Sequence, residues 1–502
     1  MLETRVADTL PLDKAASEVT STPMDHLPIL AIDLCLSGSE GHVIDAVRSE
    51  FAGSNAPRGE TISMPRKGYG PRPVYVMPTT ARTLYYALSS AVAPDLPPPS
   101  RTKERWERMT EVGMGAFDSG YIVEFDIASC YEYISHELLR RELTLQTGSP
   151  ALPKAIHGLL GSISPRGHGL PQLMSPSDLL ADTYLEAVER RLVREGISAE
   201  RYADDFRVLS NTWESANTVI EIAAEVIRDY GLVLSTSKTS VMKCETARER
   251  DAHGNELLSS LLNDRIVVRT TRTSRYDEVF DDDEDIFGSP SDDDIFESPS
   301  AGNGEWAVLR AWENNSFKSS PEKPFVELLP TLLSSLASDH NRIGDDILQQ
   351  IVFETPLWLG KVLDYVERRN ANEAAANRRT LRTLCNMGRQ SPWAKLVLLD
   401  QIEKSIGVQE AKEEDGEALL KWAHEQATSR YETVRTQAIW LLSSLKLTTE
   451  DHLLHALRQA TPLSIPALAG AAARMPESKL TRSLRDESSL SRAAYKSARN
   501  AS

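Results

Sequence analysis

The 502-residue sequence contains only four cysteines, which are far apart and form no Cys-x-x-Cys pair. This scarcity argues against a disulfide framework or a cysteine-rich zinc site and fits a reducing compartment. No apolar run approaches the length of a membrane span, and the first residues lack the basic stretch and apolar run of a signal peptide. We therefore expect a soluble, cytoplasmic protein with no membrane partner.

The sequence also lacks the excess of basic residues that is usual in proteins that bind nucleic acid. Its formal net charge is −17. The imbalance is local, because eleven acidic residues and no Lys or Arg lie between Asp277 and Glu297. Local charge patches matter more than the sum of the charges. The net charge therefore does not exclude a nucleic-acid partner.

The acidic stretch contains a short repeat. Asp285 begins a phrase of Asp-Ile-Phe-x-Ser-Pro-Ser that returns at Asp294. Such a composition cannot bury enough apolar surface to fold, which predicts a disordered linker. Its Phe287 and Phe296 leave open a second role, either as short docking anchors or as an autoinhibitory mimic of nucleic acid.

A chain of this length is expected to form two or three domains. From Trp306 onward, apolar helices of similar length follow one another through short turns, a pattern typical of a HEAT-like α-solenoid. The sequence predicts four regions: an N-terminal extension packed on a catalytic core (1–60), that core (61–275), the acidic linker (276–304) and an all-α helical-repeat domain (305–502).

Two adjacent carboxylates, Asp204 and Asp205, lie at the centre of an alternating apolar pattern that includes Phe206 and Val208. The alternation predicts a β-hairpin whose turn carries both acids. A turn that aims two carboxylates at one point costs Coulomb repulsion unless a cation lies there. An ordinary acidic turn would show the same pattern, so these residues decide little by themselves.

A third acid, Asp126, ends a predicted buried strand that begins near Tyr121, and a helical pattern follows from Glu132 to Glu142. A carboxylate at the end of a buried strand is costly unless it is paired or bound to a metal. Together with Asp204 and Asp205, Asp126 would form an oxygen-only site. Such a site suits two Mg²⁺ ions that promote in-line phosphoryl transfer.

The chain resembles the reverse transcriptases in four motifs that stand in the order found in that family. Asp126 with Tyr131 is similar to motif A, Gly169–Gln172 to motif B, Tyr202–Asp205 to motif C, and Gly231–Lys238 to motif D. The resemblance implies an α+β right-hand polymerase, with fingers and palm, ahead of the helical domain. Its activity would be that of an RNA-directed DNA polymerase-like nucleotidyltransferase.

The resemblance also implies roles for the residues of the acid cluster. Asp126 and Asp204 would be the principal ligands of the two Mg²⁺ ions, with the Ile127 carbonyl assisting, and Asp205 would complete the site. Lys238 would protonate the pyrophosphate as it leaves. A surface lysine without a catalytic role is the alternative for Lys238.

Four further residues are candidates for binding the substrate. Tyr131 matches the family's steric gate, whose ring excludes a ribose hydroxyl, although a purely structural aromatic remains open. Gln172 would touch the incoming nucleotide or the template. Lys67 and Arg72 lie in a glycine-rich basic segment that either grips the triphosphate or is simply solvated. Leu173 departs from the family, which usually has glycine there, and puts the copying of long templates in question.

The sequence shows no readable RNase H, integrase or maturase domain. A palm with a helical tail and the phrase Phe125 to Tyr131 resemble the bacterial abortive-infection and defence-associated reverse transcriptases. This looser resemblance implies a deoxynucleotide polymerase in anti-phage defence, with dNTPs, a DNA product and an RNA template as candidate partners. Several members work without a template from a protein tyrosine primer, and some form oligomers through the helical region.

A catalytically silent palm that senses nucleic acid or a phage protein is the alternative function. The complete set of acids, together with the gate and the lysine, favours catalysis, because a binding protein needs no clustered carboxylates.

Overall fold

The computed structural model describes residues 9–52, 58–66, 70–252, 341–369 and 374–500, with a few positions between 306 and 337. The predicted acidic linker (276–304) and Lys67 lie outside the described residues. Within the described ranges, no helix is both long and apolar enough to cross a membrane.

The strands of the described residues are β1 (Glu60–Pro65), β2 (Pro71–Val76), β3 (Tyr121–Asp126), β4 (Glu200–Tyr202), β5 (Asp205–Ser210) and β6 (Ser240–Lys243). β1 and β2 form an antiparallel hairpin. The other four strands form an antiparallel sheet in the order β4-β5-β3-β6.

The α-helices of the first half are α1 (Leu12–Ser21), α2 (Ala31–Leu34), α3 (Glu40–Ala52), α4 (Thr79–Val92), α5 (Lys103–Glu111), α6 (Cys130–Tyr133), α7 (His136–Thr147), α8 (Ala151–Ile163), α9 (Ser175–Arg194) and α10 (Trp213–Asp229). Those of the second half are α11 (Asp345–Glu354), α12 (Leu359–Arg368), α13 (Ala374–Cys385), α14 (Pro392–Ser405), α15 (Glu414–Gln426), α16 (Glu432–Ser444), α17 (Glu450–Leu457), α18 (Ile465–Ala472), α19 (Lys479–Asp486) and α20 (Ser489–Asn500).

The chain divides into two compact units. The sheet unit comprises residues 1–10 and 85–291, and the helical unit comprises residues 11–84 and 292–502. The four-stranded sheet lies in the first unit and the β1–β2 hairpin in the second. The division falls within α4.

β3 is one of the two inner strands of the four-stranded sheet, and four of its six residues are buried. Val123 and Phe125 are excluded from solvent, and Phe125 stacks on Phe206 of β5 with ring centroids 5.0 Å apart. Helix α10 packs on β3 and β5. Its first turn is fixed by a capping box in which Thr212 and Ser215 exchange hydrogen bonds. The predicted α+β arrangement of strands and helices is confirmed in this unit.

The helix predicted from Glu132 to Glu142 is divided into α6 and α7. The carbonyl of Ile134 accepts a hydrogen bond from the Gly169 amide (2.9 Å) instead of continuing a helix. The Ser135 hydroxyl then accepts a hydrogen bond from the Leu138 amide and caps the N-terminus of α7. The break places the motif B loop directly beside motif A.

The helices of the helical unit pack on their second neighbours along the chain. α13 contacts α15, and α14, α16, α18 and α20 contact one another in succession. Four tryptophans of this region are buried in its core: Trp358, Trp393, Trp422 and Trp440. The all-α character of this region is confirmed, and the HEAT-like solenoid stays a prediction.

The N-terminal segment contacts the C-terminal helices. The Ala31 amide donates to Gln437 Oε1 (2.8 Å), and Trp393 Nε1 donates to the His26 carbonyl (2.6 Å). The sequence had placed residues 1–60 on the catalytic core, whereas these contacts join the segment to the helices. Residues 61–84, predicted as part of the core, group with the same unit.

Candidate active site

Three aspartates from two parts of the chain meet at one end of the four-stranded sheet. Asp126 is the last residue of β3 and lies directly opposite Asp205, the first residue of β5. The β4–β5 hairpin is closed by a two-residue turn, so Asp204 lies beside this cross-strand pair. Carboxylate oxygens of the three residues all lie within 4.8 Å of one another. The hairpin with both acids at its turn is therefore confirmed.

The cluster brings three carboxylates close together, so their negative charges repel one another when all three are ionised. Asp126 is only 3% exposed. Burial, followed by the negative charge of Asp204, raises the pKa of Asp126 to about 7, although Lys238 opposes the shift. Like charges directly opposite each other on neighbouring strands are destabilising. Oxygen-only donors with excess negative charge are the ligand set that a hard divalent cation prefers.

Lys238 lies at this cluster. Its Nζ atom is 3.1 Å from Asp126 Oδ1, and its side chain is 30% exposed. The segment before it runs beside the end of β3, where the Ser235 amide donates to the Asp126 carbonyl (2.8 Å). The main-chain contact places the lysine next to the carboxylates, as the motif D resemblance implies.

Ile127 follows Asp126 and forms an isolated antiparallel bridge with Leu234. The two hydrogen bonds of this bridge belong to flanking residues: Ala128 donates to Val233, and Ser235 donates to Asp126, each at 2.8 Å. In such a pair the residues directly opposite each other do not use their own polar groups. The Ile127 carbonyl is thus not engaged by the bridge, which fits its predicted role as a ligand.

The motif B loop is hydrogen-bonded to motif A. The Leu170 amide donates to the Tyr131 carbonyl at 2.7 Å. Gly169 has a φ of +100°, and a Cβ at that position would lie 3.3 Å from the Glu132 carbonyl oxygen. Only glycine suits this conformation and approach. Gln172, two residues beyond Leu170, is buried.

Non-glycine residues with positive φ concentrate around the cluster. Of the five in the described residues, three belong to the motifs: Ser129 at +49° in motif A, Leu173 at +62° in motif B, and Ala203 at +51° in motif C. A left-handed backbone conformation costs free energy in any residue that has a Cβ atom. It persists only where the surrounding structure enforces it. Leu173 thus keeps a backbone conformation that suits the glycine usual at its position.

Tyr131 lies on the single turn of α6, and its hydroxyl is held by two charged side chains. It donates to Asp178 and accepts from Arg101 Nη2 at 2.9 Å. Ser177, in the first turn of α9, shares a 2.8 Å hydrogen bond with the Tyr85 hydroxyl.

Arg201 is a residue of this region that the sequence did not single out. It is 1% exposed and pairs with Asp182 (3.0 Å) and Glu189 (3.2 Å) of α9. It also donates to the Ala203 carbonyl (2.9 Å) in the turn that precedes Asp204. The spacing of the two acids, seven residues on one helix face, was the available signal. The Arg201 guanidinium thus holds the β4–β5 turn through the Ala203 carbonyl.

Two predicted triphosphate-binding residues are not among the described residues of the sheet unit. Arg72 is half-buried on β2 opposite Met64 and belongs to the helical unit. Lys67 is outside the described residues. The structure brings together Asp126, Asp204, Asp205 and Lys238, and the roles of Lys67, Arg72 and Gln172 stay predictions.

Comparison with known proteins agrees with this geometry. The family described as "Reverse transcriptase (RNA-dependent DNA polymerase)" matches residues 64–264, which include all four motifs. The chain therefore contains a reverse transcriptase domain and is an RNA-directed DNA polymerase-like nucleotidyltransferase.

Solved structures with detectable similarity include telomerases. A telomerase from Candida tropicalis, in complex with a fragment of telomeric RNA, is 11% identical with a TM-score of 0.29, and the match covers 82% of this chain and 68% of that one. One from Candida albicans has the same identity and TM-score, with 83% and 70% covered. No curated protein matches the sequence.

Proposed function

We propose that this protein is a deoxynucleotide polymerase of the reverse-transcriptase type that works with two Mg²⁺ ions. One observation carries the proposal: Asp126, Asp204 and Asp205 present carboxylate oxygens within 4.8 Å of one another. Carboxylates that close repel one another unless a cation lies among them. A domain of this family with an intact carboxylate cluster supports nucleotidyl transfer as the reaction.

Asp126 and Asp204 would be the principal ligands, Asp205 would complete the set, and the Ile127 carbonyl would add a neutral oxygen. All these donors are hard oxygens, which fits Mg²⁺. When bound, the ions would supply Lewis-acid stabilisation of the charge that develops on the transferred phosphoryl group.

Lys238 would hold a proton next to the reacting phosphates. Its ammonium lies 3.1 Å from Asp126 Oδ1. From there the Nζ atom would give its proton to an oxygen of the departing pyrophosphate, and so neutralise the leaving group.

Four residues would bind the nucleotide. Tyr131 would close the space under C2′ and so select deoxynucleotides, and Gln172 would touch the incoming nucleotide or the template. Lys67 and Arg72 would grip the triphosphate, for which a guanidinium can offer two parallel hydrogen bonds.

In the cell we propose a role in anti-phage defence in the cytoplasm. The motif A phrase and the helical C-terminal region, which resemble those of defence-associated reverse transcriptases, support it. DNA synthesis without a template, from a protein tyrosine, and oligomers formed through the helical unit belong to the same proposal. Phage protection that is lost in an Asp204→Asn variant would tie defence to catalysis.

The test is incorporation of labelled nucleotides. Purified full-length chain is incubated with Mg²⁺ and each dNTP or NTP, with and without an RNA template. We expect dNTP incorporation that falls by ~10³-fold or more in Asp126→Asn and Asp204→Asn, because the carboxylates act as one unit. The matched control is Asp229→Asn, an exposed aspartate at the end of α10.

No incorporation under any condition would contradict the proposal. If phage protection were nevertheless retained in the aspartate variants, the silent-palm sensor would be favoured. A preference for NTPs would point instead to an RNA polymerase.

A further inference from the structure

The hydroxyl of Tyr131 joins three segments of the sheet unit. Tyr131 lies on α6, Asp178 lies in the first turn of α9, and Arg101 lies shortly before α5. The hydroxyl contacts both charged residues, and Arg101 Nη2 lies 3.7 Å from Asp178 Oδ1. The three side chains therefore form a closed triangle around one phenol oxygen.

The chemistry of the partners fixes the direction of each hydrogen bond. A guanidinium has only donors, so Tyr131 must accept from Arg101, and an ionised carboxylate has only acceptors, so Tyr131 must donate to Asp178. Both bonds involve a charged partner and are of the stronger kind. Burial raises the pKa of the Tyr131 phenol above its ordinary value, which keeps the proton available for donation.

The ring of Tyr131 is thus anchored at both ends. At the backbone end, its carbonyl accepts a hydrogen bond from the Leu170 amide of the motif B loop at 2.7 Å. At the hydroxyl end, it is held by Asp178 on the helix that follows this loop. A steric gate works only if the ring does not yield to the extra oxygen of a ribonucleotide. Two anchors restrict the rotation about χ1 that would move the ring away.

We propose that Arg101 and Asp178 are positioning residues for sugar selection, which they enforce by holding the hydroxyl of Tyr131. The inference rests on the proposed function, in which Tyr131 is the gate. It goes further in assigning selectivity to the hydroxyl and its two partners as well as to the aromatic ring.

The test measures the ratio of kcat/KM for a dNTP to that for the matching NTP. If the ring alone sufficed, Tyr131→Phe would leave the ratio unchanged. We expect Tyr131→Phe and Asp178→Ala each to lower it by about tenfold, the scale on which small steric differences are discriminated. Asp178→Asn, which keeps an acceptor but loses the charge, should have a smaller effect.

The double variant Tyr131→Phe/Asp178→Ala separates this mechanism from general loosening of the site. Because both changes remove the same hydrogen bond, we expect the double variant to lower the ratio no further than either single variant. Tyr133→Phe is the matched control, since this tyrosine of the same helical turn is 49% exposed and should leave the ratio unchanged.

The outcomes separate a failure of this inference from a failure of the proposed function. Wild-type chain that incorporates dNTPs, with an unchanged ratio in Tyr131→Phe and in the folded Asp178→Asn and Asp178→Ala variants, overturns this inference alone. Additive effects in the double variant also overturn it. Wild-type chain that incorporates no nucleotide overturns the proposed function and this inference together.

Discussion

Asp126 is the most deeply buried of the three clustered aspartates. Its pKa is raised to about 7, chiefly by burial and then by Asp204. A metal ion binds the ionised carboxylate and competes with the proton. Since the folded pKa is raised, the proton competes up to about pH 7, far above the range in which an ordinary aspartate is protonated.

We therefore expect the stabilisation of the protein by Mg²⁺ to grow as the pH rises from about 6 to about 8, with most of the gain near 7. The readout is the Mg²⁺-induced shift of the unfolding temperature at each pH. In Asp126→Asn the shift should be small at every pH. If the Mg²⁺-induced shift in the wild-type chain were equally large at about pH 6 and at about pH 8, this expectation would be contradicted.

Leu173 combines a buried side chain with a left-handed backbone. Removing the side chain costs the burial free energy in either an alanine or a glycine variant, but only glycine also relieves the backbone. We expect Leu173→Gly to unfold at higher denaturant than Leu173→Ala, by ~1 kcal/mol. At Leu170, a buried residue of the same loop without positive φ, alanine should be the more stable of the two variants. The same order at both positions would contradict the role given to φ.

The sequence identified the three aspartates from the strand and hairpin patterns around them, and Lys238 from the resemblance to motif D. The sequence did not identify three other residues of the site: Arg201, Arg101 and Asp178. Their hydrogen-bond partners are distant in the chain and come into contact only in the folded sheet unit. A buried arginine beside a motif is a usable signal, since its charge requires partners. Which partners it finds is a matter of tertiary structure.

At the scale of elements, β1 supplies the cap of a helix far along the chain. The Glu60 carboxylate accepts hydrogen bonds from the amides of Glu432 (2.7 Å) and Thr433 (2.8 Å) at the start of α16. The N-cap residue Tyr431 makes no side-chain cap. The first amides of α16 thus depend on a carboxylate from the hairpin that carries Arg72.

We expect Glu60→Ala to destabilise the helical unit by about 1–3 kcal/mol, because it leaves buried amides unsatisfied. Glu60→Gln, whose amide oxygen can still accept, should cost less. Hydrogen exchange at the amides of Glu432 and Thr433 measures the effect directly. The control is Glu425→Gln, an exposed glutamate of α15. Unchanged exchange at the two amides in Glu60→Ala would refute the capping role.

Helical periodicity predicted the all-α character of the region after Trp306. It missed the division between α6 and α7, because the Gly169 amide that ends the first helix comes from a distant loop. Local pattern cannot report a hydrogen bond formed across the fold. The same reason explains why the pairing of Asp126 with Asp205 required the structure.

At the scale of the whole chain, the N-terminal segment is part of the helical unit. Gln437 and Trp393 are buried side chains that hydrogen-bond its main chain. The sequence predicted that residues 1–60 pack on the catalytic core, because the apolar pattern of this segment does not show that it contacts α14 and α16.

We expect Gln437→Met, which keeps the volume but removes the acceptor for the Ala31 amide, to cost about 1–3 kcal/mol of unfolding free energy. Loss of α1–α3 altogether should lower the unfolding free energy of the helical unit further, because it uncovers Trp393. Chemical denaturation followed by helical circular dichroism reports both. Equal stability of Gln437→Met and wild-type chain would argue against this contact.

The carboxylate cluster is tested most directly by counting bound Mn²⁺, a paramagnetic substitute for Mg²⁺, by electron paramagnetic resonance in the presence of a non-hydrolysable dNTP. We expect about two ions per wild-type chain, as in other two-metal sites, and at most one in Asp126→Asn or Asp204→Asn. Asp229→Asn should bind as the wild-type chain does. Equal binding in the wild-type chain and both cluster variants would contradict a metal site built by these aspartates.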